Sequence, residues 1–182
     1  MANTEKENLL KGYRAYLGSI WEMPTKEVSS FIKKWNISIK DSYLIVDCPS
    51  MLTIRQIVSY LLIKDGRKNY RVLYSSQVVD AFFAEGEEES IHDLVGEALI
   101  VVVSRHEVDN KRRWELLYQL ALKRIVGRKP VLILTDHSIT NEVGKFEELG
   151  MKVMNYKNVD ISSNRKNLGE FMRMKKSNND DL

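Results

Sequence analysis

Hydrophobic positions along this chain switch repeatedly between helical stripes and short apolar runs. Leu9, Tyr13, Tyr16 and Leu17 share one stripe within Thr4 to Trp21, which predicts a helix. Met23-Pro24-Thr25 interrupts it, because a residue before proline is pushed out of the helical region and Thr25 can cap a new helix. Val28, Phe31, Ile32 and Trp35 then recur at i, i+3, i+4 and i+7, a second amphipathic helix.

Beyond Trp35 the order becomes regular. Strands are predicted near 43–47, 70–75, 98–103, 131–135 and 152–156, where Tyr43-Leu44-Ile45-Val46 and Ala98-Leu99-Ile100-Val101-Val102-Val103 are typical runs. Helices separate them. Ile54 to Leu62 carries a stripe ending near Gly66, Val78 to Phe83 is short, and Trp114 to Ile125 is long and stops at Gly127; another spans Ile139 to Leu149. Glu85-Gly86-Glu87-Glu88-Glu89 is an acidic loop, read as a solvated tip. Fully apolar strands alternating with amphipathic helices build βαβ units, so the expected fold is α/β, a five-stranded parallel sheet flanked by helices. Residues 1–24 form an N-terminal helical extension in this reading, 25–160 the α/β domain, and 161–182 a basic C-terminal helix and tail.

Composition narrows the function classes. The 182 residues are 43% hydrophobic and 29% charged, an ordinary globular balance. A formal charge of +3 is too mild to declare nucleic-acid binding, so only a local cluster argues for it. One cysteine, Cys48, excludes an internal disulfide and a multi-Cys metal site. His92, His106 and His137 show no metal-ligand spacing, and no metal is expected. No apolar run approaches the roughly 18 residues of a membrane span, and MANTEKENLL has no signal-peptide core. The expectation is a soluble, cytoplasmic protein with no membrane partner.

In an open parallel sheet, ligands bind beyond the carboxyl ends of the strands. After the first strand comes Asp47-Cys48-Pro49-Ser50-Met51-Leu52-Thr53-Ile54-Arg55. A phosphate cradle needs glycines for close backbone approach, a lysine, and a Ser/Thr for magnesium. This loop has no glycine and no lysine, and it carries bulky Met51 and Leu52. The third strand runs from Val102-Val103 into Ser104-Arg105-His106-Glu107, and the fourth ends in Thr135-Asp136-His137.

The order and spacing of these segments, from Val28 to Tyr156, resemble the P-loop ATPase domain of bacterial replicative helicase loaders of the DnaC/DnaI type and the related AAA+ subunits of insertion elements. Cys48 to Arg55 falls where that family has its glycine-rich loop, and only Pro49 looks like the usual residue. The resemblance puts the catalytic lysine position on Ile54 and the Ser/Thr position on Arg55. It puts the paired magnesium acids on Val102 and Val103, and the polar sensor, normally Asn, on Asp136. Trp114 to Leu120 looks like the helix after the third strand, and Arg128 to Ser138 like the next strand; no convincing arginine finger lies between Asn141 and Gly150. The resemblance implies a P-loop NTPase (AAA+)-like core with its nucleotide motifs lost, a pseudo-ATPase without cofactor. It further implies an adaptor or assembly subunit in DNA replication, helicase loading or mobile-element maintenance, whose partner is a helicase or an active AAA+ ATPase, with DNA as a second contact. It also places the first strand at the sheet centre, between the fourth and fifth.

Other residues carry competing readings. Arg105, Lys111, Arg112 and Arg113, with His106 and Trp114 beside them, sit on the functional edge and suit phosphates without reading bases; the plainer alternative is a solvated helix start. Arg165, Lys166, Arg173, Lys175 and Lys176 interleave with Phe171, Met172 and Met174, which fits a docking helix or a charged tail of no role. Cys48 at a helix start is a conceivable reactive thiol, but a buried free cysteine is usually packing. Asp47, Glu107 and Asp136 would supply a metal-dependent nuclease, an enzyme of another class on the same sheet, and surface caps are the simpler account. A nucleotide held in an unusual pocket is the third possibility. Tyr13, Tyr16, Trp21, Phe31 and Trp35 are rich in aromatic surface for packing or docking.

Overall fold

The computed structural model describes residues 21–65, 70–83, 98–104, 111–138 and 142–157, without the side chains of 81–83. The predicted helix from Thr4, the acidic loop at 85–89, Arg105, His106, Glu107 and the whole basic tail lie outside the described residues.

Among the described residues the elements run in the order α1 (Lys26–Trp35), β1 (Tyr43–Val46), α2 (Met51–Asp65), β2 (Tyr70–Tyr74), α3 (Ser75–Phe83), β3 (Ala98–Val103), α4 (Lys111–Val126), β4 (Val131–Thr135), α5 (Val143–Glu148) and β5 (Lys152–Asn155). Thr25 caps α1 as its sequence suggests, accepting the Val28 N–H at 3.3 Å. Asn36 ends that helix at φ 50°, a left-handed conformation that Asn tolerates.

The five strands form one parallel sheet in the order β2-β3-β4-β1-β5. Tyr43 aligns with Leu132 on one side and Lys152 on the other, so β1 lies between β4 and β5 as expected. Every residue of β1, β3 and β4 is buried, whereas the edge strands β2 and β5 are partly exposed. That is why the central strands are uninterrupted apolar runs rather than alternating ones. Side chains still alternate between faces. Tyr43, Ile45, Ile100, Val102, Leu132 and Leu134 pack with α1 and α2. Leu44, Val46, Val101, Val103, Val131 and Ile133 pack with α4 and with Phe146 of α5.

Expected boundaries move by a few residues, and β5 stops at Asn155 rather than at 156. β1 stops at Val46, because Asp47 turns out of the strand at φ 56°. β2 stops at Tyr74, because Ser75 already opens α3 and Gln77 Oε1 takes the Tyr74 N–H at 2.8 Å. The helix expected over 139–149 is described only from Val143 to Glu148. It closes on Leu149 and Gly150, and Gly150 has φ 88°, a conformation that suits glycine.

Replacing Thr25 by Ala removes the side-chain acceptor at the start of α1. It should lower stability by about 1 kcal/mol in urea unfolding, and Thr25→Ser should retain most of it.

Candidate functional site

The carboxyl edge of the sheet gathers the ends of β1, β4 and β5, and it is held together by hydrogen bonds made within the chain. At the exit of β1 the Asp47 N–H donates to the His137 carbonyl and the Cys48 N–H to the Thr135 carbonyl, both at 3.2 Å. Asn155 Nδ2 donates to Asp47 Oδ2 at 2.6 Å, and Lys157 Nζ lies 3.9 Å from Asp47 Oδ1. The Tyr156 N–H donates to the Val46 carbonyl at 2.9 Å. Thr135 is fully buried and its hydroxyl oxygen takes the His137 N–H at 3.3 Å. The start of α2 is likewise closed: Ser50 Oγ accepts the Thr53 N–H at 3.3 Å and the Ser50 carbonyl accepts the Ile54 N–H at 3.2 Å.

An anion cradle at a strand-to-helix turn works by aiming free N–H groups and a cation at the ligand. Here two loop amides bond to β4-edge carbonyls, and a serine takes one amide of the helix start. Ile54 points into the core against α1 and the sheet, with none of its surface exposed. Arg55 pairs with Glu22 of the preceding segment at 3.7 Å. Pro49, at the apex, supplies no amide at all. Val102 and Val103 are both fully buried, one on each face of the sheet.

Cys48 is buried, and its thiol is pushed well above the ordinary value of 9.0, first by burial, then by the charges of Asp136 and Asp47. The cysteine therefore belongs to the packing. Asp136 Oδ1 is buried and has no hydrogen-bond partner among the described residues. Of the three acids considered for a metal, Asp47 is engaged by Asn155 and Lys157, and Glu107 lies outside the described residues. Among the described residues no three His, Cys, Asp or Glu side chains group so as to hold a metal ion.

Lys111, Arg112 and Arg113 open α4, which has no acidic residue in its first turn. Lys111 and Arg112 are exposed and Arg113 is half-buried, and both arginines also make contacts within the molecule. Trp114, by contrast, is core, edge-on to Phe146 with ring centroids 6.1 Å apart. Asn155, Lys157 and Thr135 were not signalled by the sequence. Asn155 lies 108 positions from Asp47, and no local motif announces such a pair.

No family model matches the chain. No curated protein matches it. Among solved structures it is similar to a chain from Streptococcus pyogenes serotype M3 assigned as a primosome component, at 12% identity and a TM-score of 0.40, over 80% of this chain and 87% of that one. A superposition that loose transfers no residue role. Among the described residues no helix is long and apolar enough to cross a membrane.

This geometry has two measurable outcomes. Cys48 should resist Ellman's reagent at pH 8 in the native protein and react once the chain is unfolded. The unfolded chain loses the thiol proton at lower pH than the folded one, so stability should fall as pH rises through 9.0. Secondly, Ile54→Lys buries an unpaired charge; it should cost about 3 kcal/mol or more in urea unfolding and confer no ATP hydrolysis.

Proposed function

We propose that this chain is a non-hydrolysing member of the P-loop NTPase (AAA+) type, an adaptor or assembly subunit in DNA replication, helicase loading or mobile-element maintenance. The carrying observation is the β1–α2 connection. Its Asp47 and Cys48 amides are bonded to β4-edge carbonyls, and the position that the resemblance gives to lysine is a core isoleucine. A triphosphate there meets a turn whose Asp47 and Cys48 amides are already engaged and no lysine at the loop's own position, while Val102 and Val103 offer a metal only hydrocarbon. The order of the strands, with β1 between β4 and β5, supports the kinship, because the helicase-loader resemblance required that placement.

A chain that keeps such a scaffold without its chemistry acts by contact. In this proposal the partner is a helicase or an active AAA+ ATPase, which supplies the hydrolysis. Lys111, Arg112 and Arg113 at the start of α4 are assigned the contact with DNA phosphates or an acidic partner face, and Arg105, Arg173, Lys175 and Lys176, outside the described residues, are further candidates by their charge alone.

The test is a thermal shift and a phosphate-release assay with magnesium-ATP. A ligand at 100 times its dissociation constant adds about 2.7 kcal/mol, a displacement readily seen in a domain of this size. The expected result is neither a shift nor release. Hydrolysis that disappears in Asp136→Ala would overturn the proposal.

A further inference from the structure

Strand β2 stands at one end of the sheet, and among the described residues no strand pairs with its far side. The register says which backbone groups face that way. The Leu99 N–H donates to the Pro130 carbonyl at 3.3 Å, so Leu99 turns its peptide groups toward β4, and Ile100, the next residue, turns its own toward β2. Ile100 is level with Val72. In a parallel pair, one residue of each level couple makes both bonds across the ladder and the other points its N–H and C=O away. Val72 is that other residue. Tyr70 and Tyr74, two positions to either side, direct their peptide groups the same way. Gln77 Oε1 meets the Tyr74 N–H there at 2.8 Å, a side chain standing where a further strand would bond.

Edges of this kind are usually blunted by proline, lysine or a bulge. Tyr70-Arg71-Val72-Leu73-Tyr74 has no proline and no lysine, and its one charge is Arg71. Tyr70 and Val72 lie partly buried against the layer of α1 and α2, and Tyr74, on the same face by alternation, keeps 37% of its surface in solvent. The segment is also complementary to itself. Turned end for end about Val72, it sets Tyr70 opposite Tyr74, Val72 opposite Val72, and Arg71 opposite uncharged Leu73. Each Val72 N–H then donates to the other Val72 carbonyl, and an aromatic pair flanks these bonds on either side. A second copy added parallel and in register would set Arg71 on Arg71, and like charges directly opposite are destabilising.

We propose that β2 is the docking edge for a second copy of this chain, the two β2 strands pairing antiparallel about a two-fold axis at Val72 to make one continuous sheet. Such a contact occupies both edges at once, so it closes at two chains and does not propagate. An edge of five residues is small beside the roughly 1,200 Å² at which stable interfaces begin, so the dimer is reversible. The proposal goes beyond the function proposed above and does not depend on the phosphate loop.

The test is sedimentation of the full chain over a concentration series, joined to cysteine cross-linking. The wild-type mass should rise with concentration from one chain toward two and no further. Val72→Pro removes the donor at the axis, at a position where an edge strand tolerates proline, and should be monomeric throughout. Should that variant fail to fold, Tyr74→Lys, a change at an exposed site, should raise the dissociation constant roughly tenfold through loss of both aromatic pairs. Val72→Cys should form a covalent dimer on mild oxidation, because bonded antiparallel partners lie about 5.5 Å apart between Cα atoms, within disulfide reach. The native thiol, Cys48, is buried and does not compete. Arg71→Cys should not cross-link, since the axis at Val72 sets the two copies of position 71 more than about 7 Å apart. A wild type that stays monomeric overturns the proposal. So does a mass that grows past two, a folded Val72→Pro that still dimerises, or cross-linking through position 71 as strong as through position 72. None of these outcomes bears on the ATP assay, so the two proposals fail separately.

Discussion

The turn at Asp47 organises the carboxyl edge. Strand β1 is sealed between β4 and β5, and its backbone leaves the sheet through a left-handed residue whose amide, and the amide after it, bond to the end of β4. Asn155, next to β1 on the other side, completes the clasp through the Asp47 carboxylate. A left-handed Asp is tolerable because its short polar side chain finds partners nearby. With those bonds made, the turn lies down on the sheet instead of opening into a cradle, and α2 starts on a serine cap.

On the function proposed above, this arrangement accounts for apolar residues at the positions that the helicase-loader resemblance gives to charge. A catalytic lysine must be desolvated only in the presence of phosphate, and its loop must stay open to receive it. Once the turn is closed, the position one helical turn in has no solvent to reach, and isoleucine is the stable occupant. The same holds at the tip of β3. Val102 and Val103 face opposite layers of the core, and each contributes burial to its own side.

Much of the architecture was legible in the sequence. Uninterrupted apolar runs at 98–103 and 131–135 mark strands covered on both faces, and the stripe from Trp114 to Ile125 marks a helix lying on them. Pro24 and Thr25 marked the start of α1. The sheet order came from the resemblance and not from periodicity, since alternation says which face a side chain takes and not which strand lies beside it. The partners of Asp47 were not legible, because a contact across 108 positions leaves no local trace. Trp35 was counted with packing or docking aromatics, and in the fold it closes α1 with 39% of its surface in solvent, which the stripe it shares with Val28, Phe31 and Ile32 did not foretell.

The central position of β1 also has a consequence for how the chain reaches its structure. The strand emerges early, yet both its neighbours are encoded much later; the Ser42 to Val131 bond alone spans 89 positions. Until β4 and β5 have been synthesised, Tyr43-Leu44-Ile45-Val46 has no native strand to pair with. Contacts of such long sequence separation are slow to form, because the entropy of closing the intervening loop is spent first. The interval leaves a fully apolar strand unpaired during synthesis, the state in which chains of this topology associate wrongly and in which a chaperone is most useful.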